Sequence, residues 1–141
     1  MDLTASILIS LVALATGLGP MRADFNATHA TNPLWTPHAR FHVVWQVLCQ
    51  SGISLFILYL VWVADFPGHL LTAAILNFNW IVSFFITLLN MKRFAGSLKD
   101  VNGIQPFRFR IGGREHLVDT NLFGACLLSI LNGIATLLLL T

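Results

Sequence analysis

Charge is the scarcest property of this sequence. Charged residues make up only 10% of the chain, whereas a soluble domain usually carries about 25%. Hydrophobic residues make up 56%, and this excess excludes a soluble globular domain as well as a disordered chain. The eight Lys and Arg residues leave a net charge of only +2, which excludes a nucleic-acid-binding function.

Cysteine is also nearly absent. The two cysteines, Cys49 and Cys126, lie in separate apolar stretches and form no CxxC pair. They therefore exclude a disulfide framework and a CxxC redox motif. The simplest expectation is that both are small hydrophobic residues buried in the protein.

Long apolar stretches dominate the sequence instead. A membrane-spanning helix needs roughly 20 apolar residues, and four stretches approach or reach that length, which predicts helices at about 3–18, 37–63, 67–91 and 120–140. The apolar residues are continuous rather than alternating, which excludes membrane strands, and lipid cannot satisfy unpaired backbone groups. The sequence therefore predicts an all-α fold, a four-transmembrane-helix bundle that forms a single integral membrane domain over residues 1–141.

The first apolar stretch has one alternative interpretation, a secretory signal peptide. It lacks the positively charged start that such peptides carry. A short spanning helix is therefore favoured, and we expect Gly17, Gly19 and Pro20 to end it.

The basic residues predict the orientation of the bundle. Two lie between the first and second helices and six between the third and fourth, which accounts for all of them: Arg22, Arg40, Lys92, Arg93, Lys99, Arg108, Arg110 and Arg114. Both loops lie on the same side of a four-helix protein. The positive-inside rule therefore predicts that both loops are cytosolic and that both chain termini lie on the outer or lumenal side.

Three of the five histidines lie just before the second helix or in its first turns. A Thr-Pro pair predicts that this helix begins at Pro37. His38 and His42 then lie four residues apart on one face of the helix. Gln46 and Gln50 continue this polar stripe into the membrane.

Two histidines at this spacing on a helix can share one metal ion. His29 is a candidate third ligand, and Asp24 is a candidate ligand or a carboxylate that supports one. Imidazole and carboxylate groups favour zinc, iron or copper over magnesium or calcium. Iron or copper is slightly preferred to zinc, only because membrane substrates often undergo redox chemistry. The alternative is that these histidines only bind water, lipid head groups or capping carbonyls. The predicted metal ligands are Asp24, His29, His38 and His42, and the catalytic candidates are His29, His38, His42, Gln46 and His116.

The segment between the third and fourth helices predicts a β-hairpin. Apolar and basic residues alternate on one side of a Gly-Gly pair, and a second short run follows it. This pattern is typical of two strands joined by a two-residue turn. The turn pairs Ile111 with Arg114. It also pairs Arg110 with Glu115, which is a favourable cross-strand charge pair.

The hairpin has three candidate roles: a lid over a site in the bundle, a basic platform for anionic lipid head groups, or a solvated loop without a ligand. His116 lies on the same face of the hairpin as Phe107 and Phe109, from which it could reach the histidine site. Asp119 follows the second strand and is predicted to cap the fourth helix.

Amide side chains lie in the predicted spans or at their ends. They are Gln46, Gln50, Asn77, Asn79, Asn90, Asn121 and Asn132. Hydrogen bonds between helices are the commonest use of such groups, because an unsatisfied amide in hydrocarbon is costly. The alternative is a polar lining for a substrate pocket, which Gln46, Asn90 and Asn121 favour because they lie near the cytosolic ends of the helices.

Two groups of residues resemble a poorly characterised group of small four-helix membrane proteins from fungi and bacteria. They are His29, Asn32, Pro33, Trp35, Pro37, His38, Phe41 and His42, followed by Phe107, Phe109, Arg110, Gly112, Gly113, Asp119, Thr120 and Asn121. The general plan is also similar to DoxX-like and emopamil-binding-type four-helix proteins, in layout only. The resemblance implies a four-helix fold and supplies no activity and no catalytic residue.

The sequence favours a small membrane enzyme, an oxidoreductase or an isomerase, with a histidine-bound transition metal at the cytosolic interface. Its substrate would be a hydrophobic or lipid-like small molecule, because a metal beside a membrane pocket suits the oxidation or isomerisation of such a molecule. The alternative is a non-enzymatic protein that binds a lipid, sterol or quinone, or an accessory subunit of a membrane complex. Membrane lipids are expected partners, and the sequence allows an oligomer without predicting one.

Overall fold

The computed structural model describes residues 2–98 and 104–141. This part of the chain contains four long helices and one hairpin: α1 (Leu3–Asp24), α2 (Pro37–Trp62), α3 (His69–Asn90), β1 (Phe107–Ile111), β2 (Arg114–Val118) and α4 (Thr120–Leu140), with a short 3-10 helix (Met91–Phe94) after α3. Each long helix is apolar and long enough to cross a membrane. The chain therefore fits an integral multi-pass membrane protein with a hairpin between α3 and α4. Lys99, one of the basic residues that predict the orientation, lies outside the described residues.

The first helix is longer than the sequence predicts. Gly17, Gly19 and Pro20 do not end α1, which continues to Asp24. Packing explains the glycine at position 17, because a Cβ atom at Gly17 would lie only 2.8 Å from Ser54 Cβ of α2, and small residues allow such close approach between membrane helices. Pro20 lies inside the helix, beyond the buried part of α1, which ends at Gly17. The other long helices begin and end within two residues of their predicted bounds.

Three of these helices begin with a side-chain cap. Ala5 N donates to Asp2 Oδ1 (2.9 Å) at α1, and Thr36 Oγ1 accepts from the backbone at the start of α2. Asp119 Oδ1 accepts from two backbone N–H groups at the start of α4, as predicted. α3 instead follows Gly68, whose φ of +84° suits glycine in the tight turn after α2.

The core lies where the helices meet and is built mainly from small and aliphatic side chains. Its largest cluster contains Ala5, Ile9, Ala13, Ile57, Leu60, Val61, Leu70, Ala73, Ala74 and Ala135. α1 is the most buried of the four candidate spans, so the first apolar stretch is a packed helix of the bundle. Many large apolar side chains, such as Leu55 and Ile86, are exposed on the outer surface, as lipid-facing side chains are in a membrane bundle.

Two buried amides join three of the helices. Asn77 Nδ2 of α3 donates to Ile9 O of α1 (3.1 Å) and to Asn132 Oδ1 of α4 (3.2 Å). Asn132 Nδ2 donates in turn to Ala74 O (2.9 Å). For these two residues the structure supports the interpretation that membrane amides form bonds between helices.

A line of small polar residues, here called the α1–α2 seam, joins the first two helices. It consists of Thr16, Gly17, Ser51 and Ser54. Ser51 Oγ lies 3.0 Å from Gly17 O and 2.9 Å from Val47 O, so the two carbonyl oxygens share its one proton. Ser54 Oγ lies within hydrogen-bond distance of Thr16 Oγ1 (3.3 Å). Thr16 and Ser54 are both buried, so the seam satisfies polar groups inside the bundle.

Both cysteines are free and exposed, so the expectation that they are buried is wrong. The packed face of α2 passes through Val47, and that of α4 passes through Ala125. Cys49 is two positions from Val47 and Cys126 is one position from Ala125. At 100° per residue, both side chains therefore turn away from the packed faces.

The hairpin has the predicted register. Ile111 pairs with Arg114, and Arg110 pairs with Glu115. The two turn glycines have φ values of 57° and 77°, which a type I′ turn requires. The ion pair differs from the prediction, because Glu115 Oε1 contacts Arg108 Nη1 at 3.4 Å. Arg108 lies diagonally across from Glu115 on the same face of the hairpin, and diagonal neighbours are within reach of a long side chain.

Candidate functional site

Side-chain hydrogen bonds hold the loop between α1 and α2. Asn26 Nδ2 donates to Ala23 O (2.8 Å) at the end of α1, and Asn26 Oδ1 accepts from Thr28 N (2.8 Å). Further along, the buried Asn32 donates through Nδ2 to Thr28 O (2.9 Å). Asparagine and threonine commonly make such local bonds in turns. His29 therefore lies on a loop whose shape is held from both ends.

The same network assigns the tautomer of His29. Thr28 Oγ1 donates its one proton to Asn26 Oδ1, at 2.6 Å. Oγ1 must then accept from His29 Nδ1, which lies 2.7 Å away. Asp24 Oδ1 is 3.5 Å from the same nitrogen. We therefore assign the Nδ1–H tautomer to the neutral ring, which leaves the lone pair on Nε2.

His29 and Asp24 line a cavity of about 500 Å³ at the loop end of the bundle, here called the interfacial cavity. The Trp35 ring meets the His29 ring edge-on, with centroids 5.1 Å apart. The rest of the wall comes from the segment after the 3-10 helix, the segment before the hairpin, β2 and the start of α4; its residues include Ser97, Leu98, Gln105, Leu117, Asp119 and Asn121. A cavity of this size with a few polar groups beside apolar ones suits an amphiphilic ligand.

The hairpin and the segment before it are fixed against α4. Thr120 Oγ1 donates to Gln105 O at 2.7 Å. On the hairpin, the Phe107 and Phe109 rings contact the Phe123 ring of α4, with centroids 5.0 Å and 6.2 Å apart. This support matters because an isolated hairpin is marginally stable in water. The α1–α2 and α3–α4 loops thus meet at one end of the bundle.

The other two histidines form a separate pair on the first turns of α2. His38 Nε2 and His42 Nε2 are 3.0 Å apart, and both side chains are exposed. His29 was predicted to bind the same metal ion as this pair. The structure does not bring the three together, because the hydrogen bonds of the loop between α1 and α2 hold His29 beside Asp24. Within residues 2–98 and 104–141, no group of three or more His, Cys, Asp or Glu side chains is arranged to hold a metal ion.

The remaining candidates lie in two further places. Gln46 lines a groove between α2 and α3 together with His42. His116 is exposed on β2 opposite Phe109, and it is not among the residues that line the interfacial cavity. The hairpin wall of that cavity contains Leu117, which lies on the opposite face of β2. A catalytic role for Gln46 or His116 stays a prediction.

Comparison with known proteins gives a family but no activity. A family model described as a family of unknown function, DUF6640, matches residues 8–98. The match covers most of α1, the loop between α1 and α2, and all of α2 and α3. No curated protein and no solved structure matches the chain, and no relationship to DoxX-like or emopamil-binding-type proteins is shown. Because the family model covers more than half of the sequence, the chain belongs to the DUF6640 family, a family of unknown function.

Proposed function

We propose that this protein binds a lipid-like amphiphile in the interfacial cavity and exchanges a proton with it at His29. The observation that carries the proposal is the orientation of His29, whose Nδ1 lies 2.7 Å from Thr28 Oγ1 and 3.5 Å from Asp24 Oδ1. No hydrogen bond to His29 Nε2 is found in the described part of the chain. The polar head of the ligand would lie in the cavity and its apolar part in the bilayer.

A carboxylate beside Nδ1 supports proton transfer at the opposite nitrogen. When Nε2 accepts a proton, the imidazolium that forms is stabilised by Asp24, and Thr28 keeps the ring in place. The neutral ring can take a proton from a hydroxyl group or from a carbon next to a carbonyl, and the protonated ring can return it. Such a proton transfer is the central step of an isomerisation. The proposal therefore includes an enzymatic function, that of an isomerase.

The proposal also places the interfacial cavity on the cytosolic side of the membrane. All eight Lys and Arg residues of the sequence lie in the two loops that meet at this end or at the adjoining helix ends. The positive-inside rule assigns such loops to the cytosol, and both chain termini then lie on the outer or lumenal side.

The test uses protein reconstituted in lipid nanodiscs and incubated with the total lipid extract of the membranes in which it is expressed. Bound and altered molecules are identified by mass spectrometry for wild type, His29→Ala and a matched control, His69→Ala. His69 is a half-buried histidine at the opposite end of the bundle, where its Nδ1 donates to Leu60 O (2.7 Å).

We expect wild type and His69→Ala to retain or convert one class of amphiphile, and His29→Ala to do so about tenfold less. Conversion of the molecule identifies an enzyme, whereas retention without conversion identifies the non-enzymatic binding protein. Equal retention and conversion by a folded His29→Ala variant would contradict the proposal.

A second candidate function rests on the pair His38 and His42. Their Nε2 atoms are 3.0 Å apart, close to the separation of about 3.3 Å expected for two imidazoles on one tetrahedral metal ion. We propose iron or copper as the ion, with zinc less favoured, acting on a hydrophobic substrate at this interface. The remaining coordination positions would be filled by water or substrate.

Elemental analysis of the detergent-purified protein tests this second candidate. The variants are His38→Ala/His42→Ala and, as a control, His29→Ala. About one metal ion per chain in wild type and in His29→Ala, lost in the double variant, is the expected result. No bound metal after reconstitution with iron, copper or zinc would reject the metal site and leave the proposal at His29 unaffected.

A further inference from the structure

A second cavity, of about 380 Å³, lies between α2 and α3 within their spanning segments. We call it the α2–α3 groove. It shares no lining residue with the interfacial cavity. Its walls include Trp45, Gln46, Cys49 and Gln50 of α2, and Asn79 and Trp80 of α3.

One polar group that lines this groove makes no hydrogen bond to the described residues. Gln50 is only 8% exposed, and its Nε2 is buried without a hydrogen-bond partner among the described residues. The nearby Ser83 differs, because its hydroxyl donates to Asn79 O at 2.7 Å. A buried amide donor without a partner lowers stability, and such a group in a native protein commonly indicates a missing partner.

The chemistry of the groove defines the missing partner. An amide N–H requires an acceptor, and a carbonyl oxygen, with two lone pairs and no proton, is an acceptor that an apolar molecule can carry. No Asp, Glu, Lys or Arg is among the residues that line the groove in the described chain, so an uncharged ligand fits best. Trp45 and Trp80 offer aromatic surface for an apolar body, and Trp45 is exposed on the outer surface of the bundle.

We infer that the α2–α3 groove binds an uncharged, apolar molecule from the lipid phase, whose carbonyl oxygen accepts a hydrogen bond from Gln50 Nε2. Two sources offer this chemistry: a ring ketone, such as that of a steroid, and the ester carbonyl of a bilayer lipid. The inference does not depend on the proposal at His29, because the two cavities share no lining residue. It touches only the second candidate function, because His42 also lines the groove.

The two exposed cysteines provide a direct test with an internal control. Cys49 lines the groove, whereas Cys126 lies on α4 and does not line it. The full chain is placed in a maltoside detergent, which contains no ester, and both thiols are alkylated with an apolar maleimide. Mass spectrometry gives the alkylation rate of each cysteine without ligand, with a saturated steroid ketone and with dioctanoylglycerol.

We expect at least one probe to slow alkylation of Cys49 by about fivefold or more and to leave the rate at Cys126 unchanged. Protection by the steroid ketone alone assigns the ring ketone, and protection by dioctanoylglycerol alone assigns the lipid ester. Gln50→Leu should remove the protection. Gln50→Met, which also lacks the donor but keeps an unbranched chain, repeats the test if the leucine variant does not fold.

Two results would overturn the inference. The first is unchanged alkylation of Cys49 in wild type with both probes at saturating concentration. The second is equal protection of Cys49 in wild type and in a folded Gln50 variant, because the amide would then contribute nothing to binding. Circular dichroism of the same samples shows whether each variant keeps its helices.

Discussion

The two polar faces of α2 are used in different ways. On the side of α1, Ser51 Oγ lies 3.0 Å from Gly17 O, and Ser54 Oγ lies 3.3 Å from Thr16 Oγ1. On the side of α3, Gln50 Nε2 is buried without a partner among the described residues. The first face is closed by packing and satisfies its own hydroxyl groups. The second lines a groove and leaves a strong donor unused.

This difference shows why polar residues in a spanning helix do not by themselves indicate a functional site. Where a polar group is bonded to a neighbouring helix, its role in holding the bundle is sufficient to explain it. A buried donor that stays unpaired reduces stability instead, so a contact between helices does not explain it. The following predictions test this division, from the largest expected effect to the smallest.

The largest effect is expected at the α1–α2 seam. In Gly17→Leu, the new side chain meets Ser54, since even a Cβ atom would lie 2.8 Å from Ser54 Cβ. We expect the free energy of unfolding to fall by about 3 kcal/mol or more, measured by denaturation in mixed micelles. Gly19→Leu is the control, because a Cβ atom there has no neighbour within 4 Å. Equal losses in the two variants would show that the seam is not closely packed.

The buried amide pair should give the next largest effect. Asn132→Ala removes the bonds to Asn77 Nδ2 and to Ala74 O and leaves buried polar groups unpaired. We expect a loss of about 2 kcal/mol in the free energy of unfolding. Asn79→Ala, which removes an exposed amide from the same region, should change it by less than about 0.5 kcal/mol. An unchanged free energy of unfolding in Asn132→Ala would mean that the amide pair does not hold the helices together.

On the groove face of α2, removing a polar side chain should raise the free energy of unfolding rather than lower it. Gln50→Leu removes an unpaired donor, so we expect the free energy of unfolding without ligand to rise by about 1 kcal/mol. Ser54→Ala on the seam face should lower it by about 0.5–1 kcal/mol. A decrease in Gln50→Leu as large as that in Ser54→Ala would remove the distinction between the two faces.

The smallest effect is expected on the hairpin. Arg108 and Glu115 form an ion pair whose side chains are 71% and 50% exposed. Glu115→Gln should therefore change the free energy of unfolding by less than about 0.5 kcal/mol. A loss above about 1 kcal/mol would show that the hairpin supports the bundle through this pair rather than through its aromatic face.

Much of the fold could be predicted from local patterns. The long apolar stretches indicate the four helices, and the Gly-Gly pair predicts the hairpin register because its turn type determines which residues pair. The end of α1 could not be predicted in this way. Gly17 and Pro20 favour a helix end locally, yet α1 continues through both, and the role of Gly17 becomes clear only from its contact with Ser54.

The candidate site was predicted in part. The spacing of His38 and His42 places their imidazoles together on α2, as found. The position of His29 depends instead on Asn26 and Thr28, whose roles the sequence analysis missed. Their residue types favour local turn bonds, which is a signal that could have found them. The unpaired state of Gln50 has no such signal, because it depends on which groups α3 brings near.

The most direct test of the proposed function is ¹⁵N NMR of histidine-labelled protein in nanodiscs at a pH where the ring is neutral. The His29 signals are assigned by comparison with His29→Ala. The account predicts a proton on Nδ1 and a lone pair on Nε2, because Thr28 Oγ1 accepts at Nδ1 and Asp24 Oδ1 lies 3.5 Å from the same nitrogen. A proton on Nε2 in the neutral ring would contradict it, since Nε2 could not then accept a proton from a ligand.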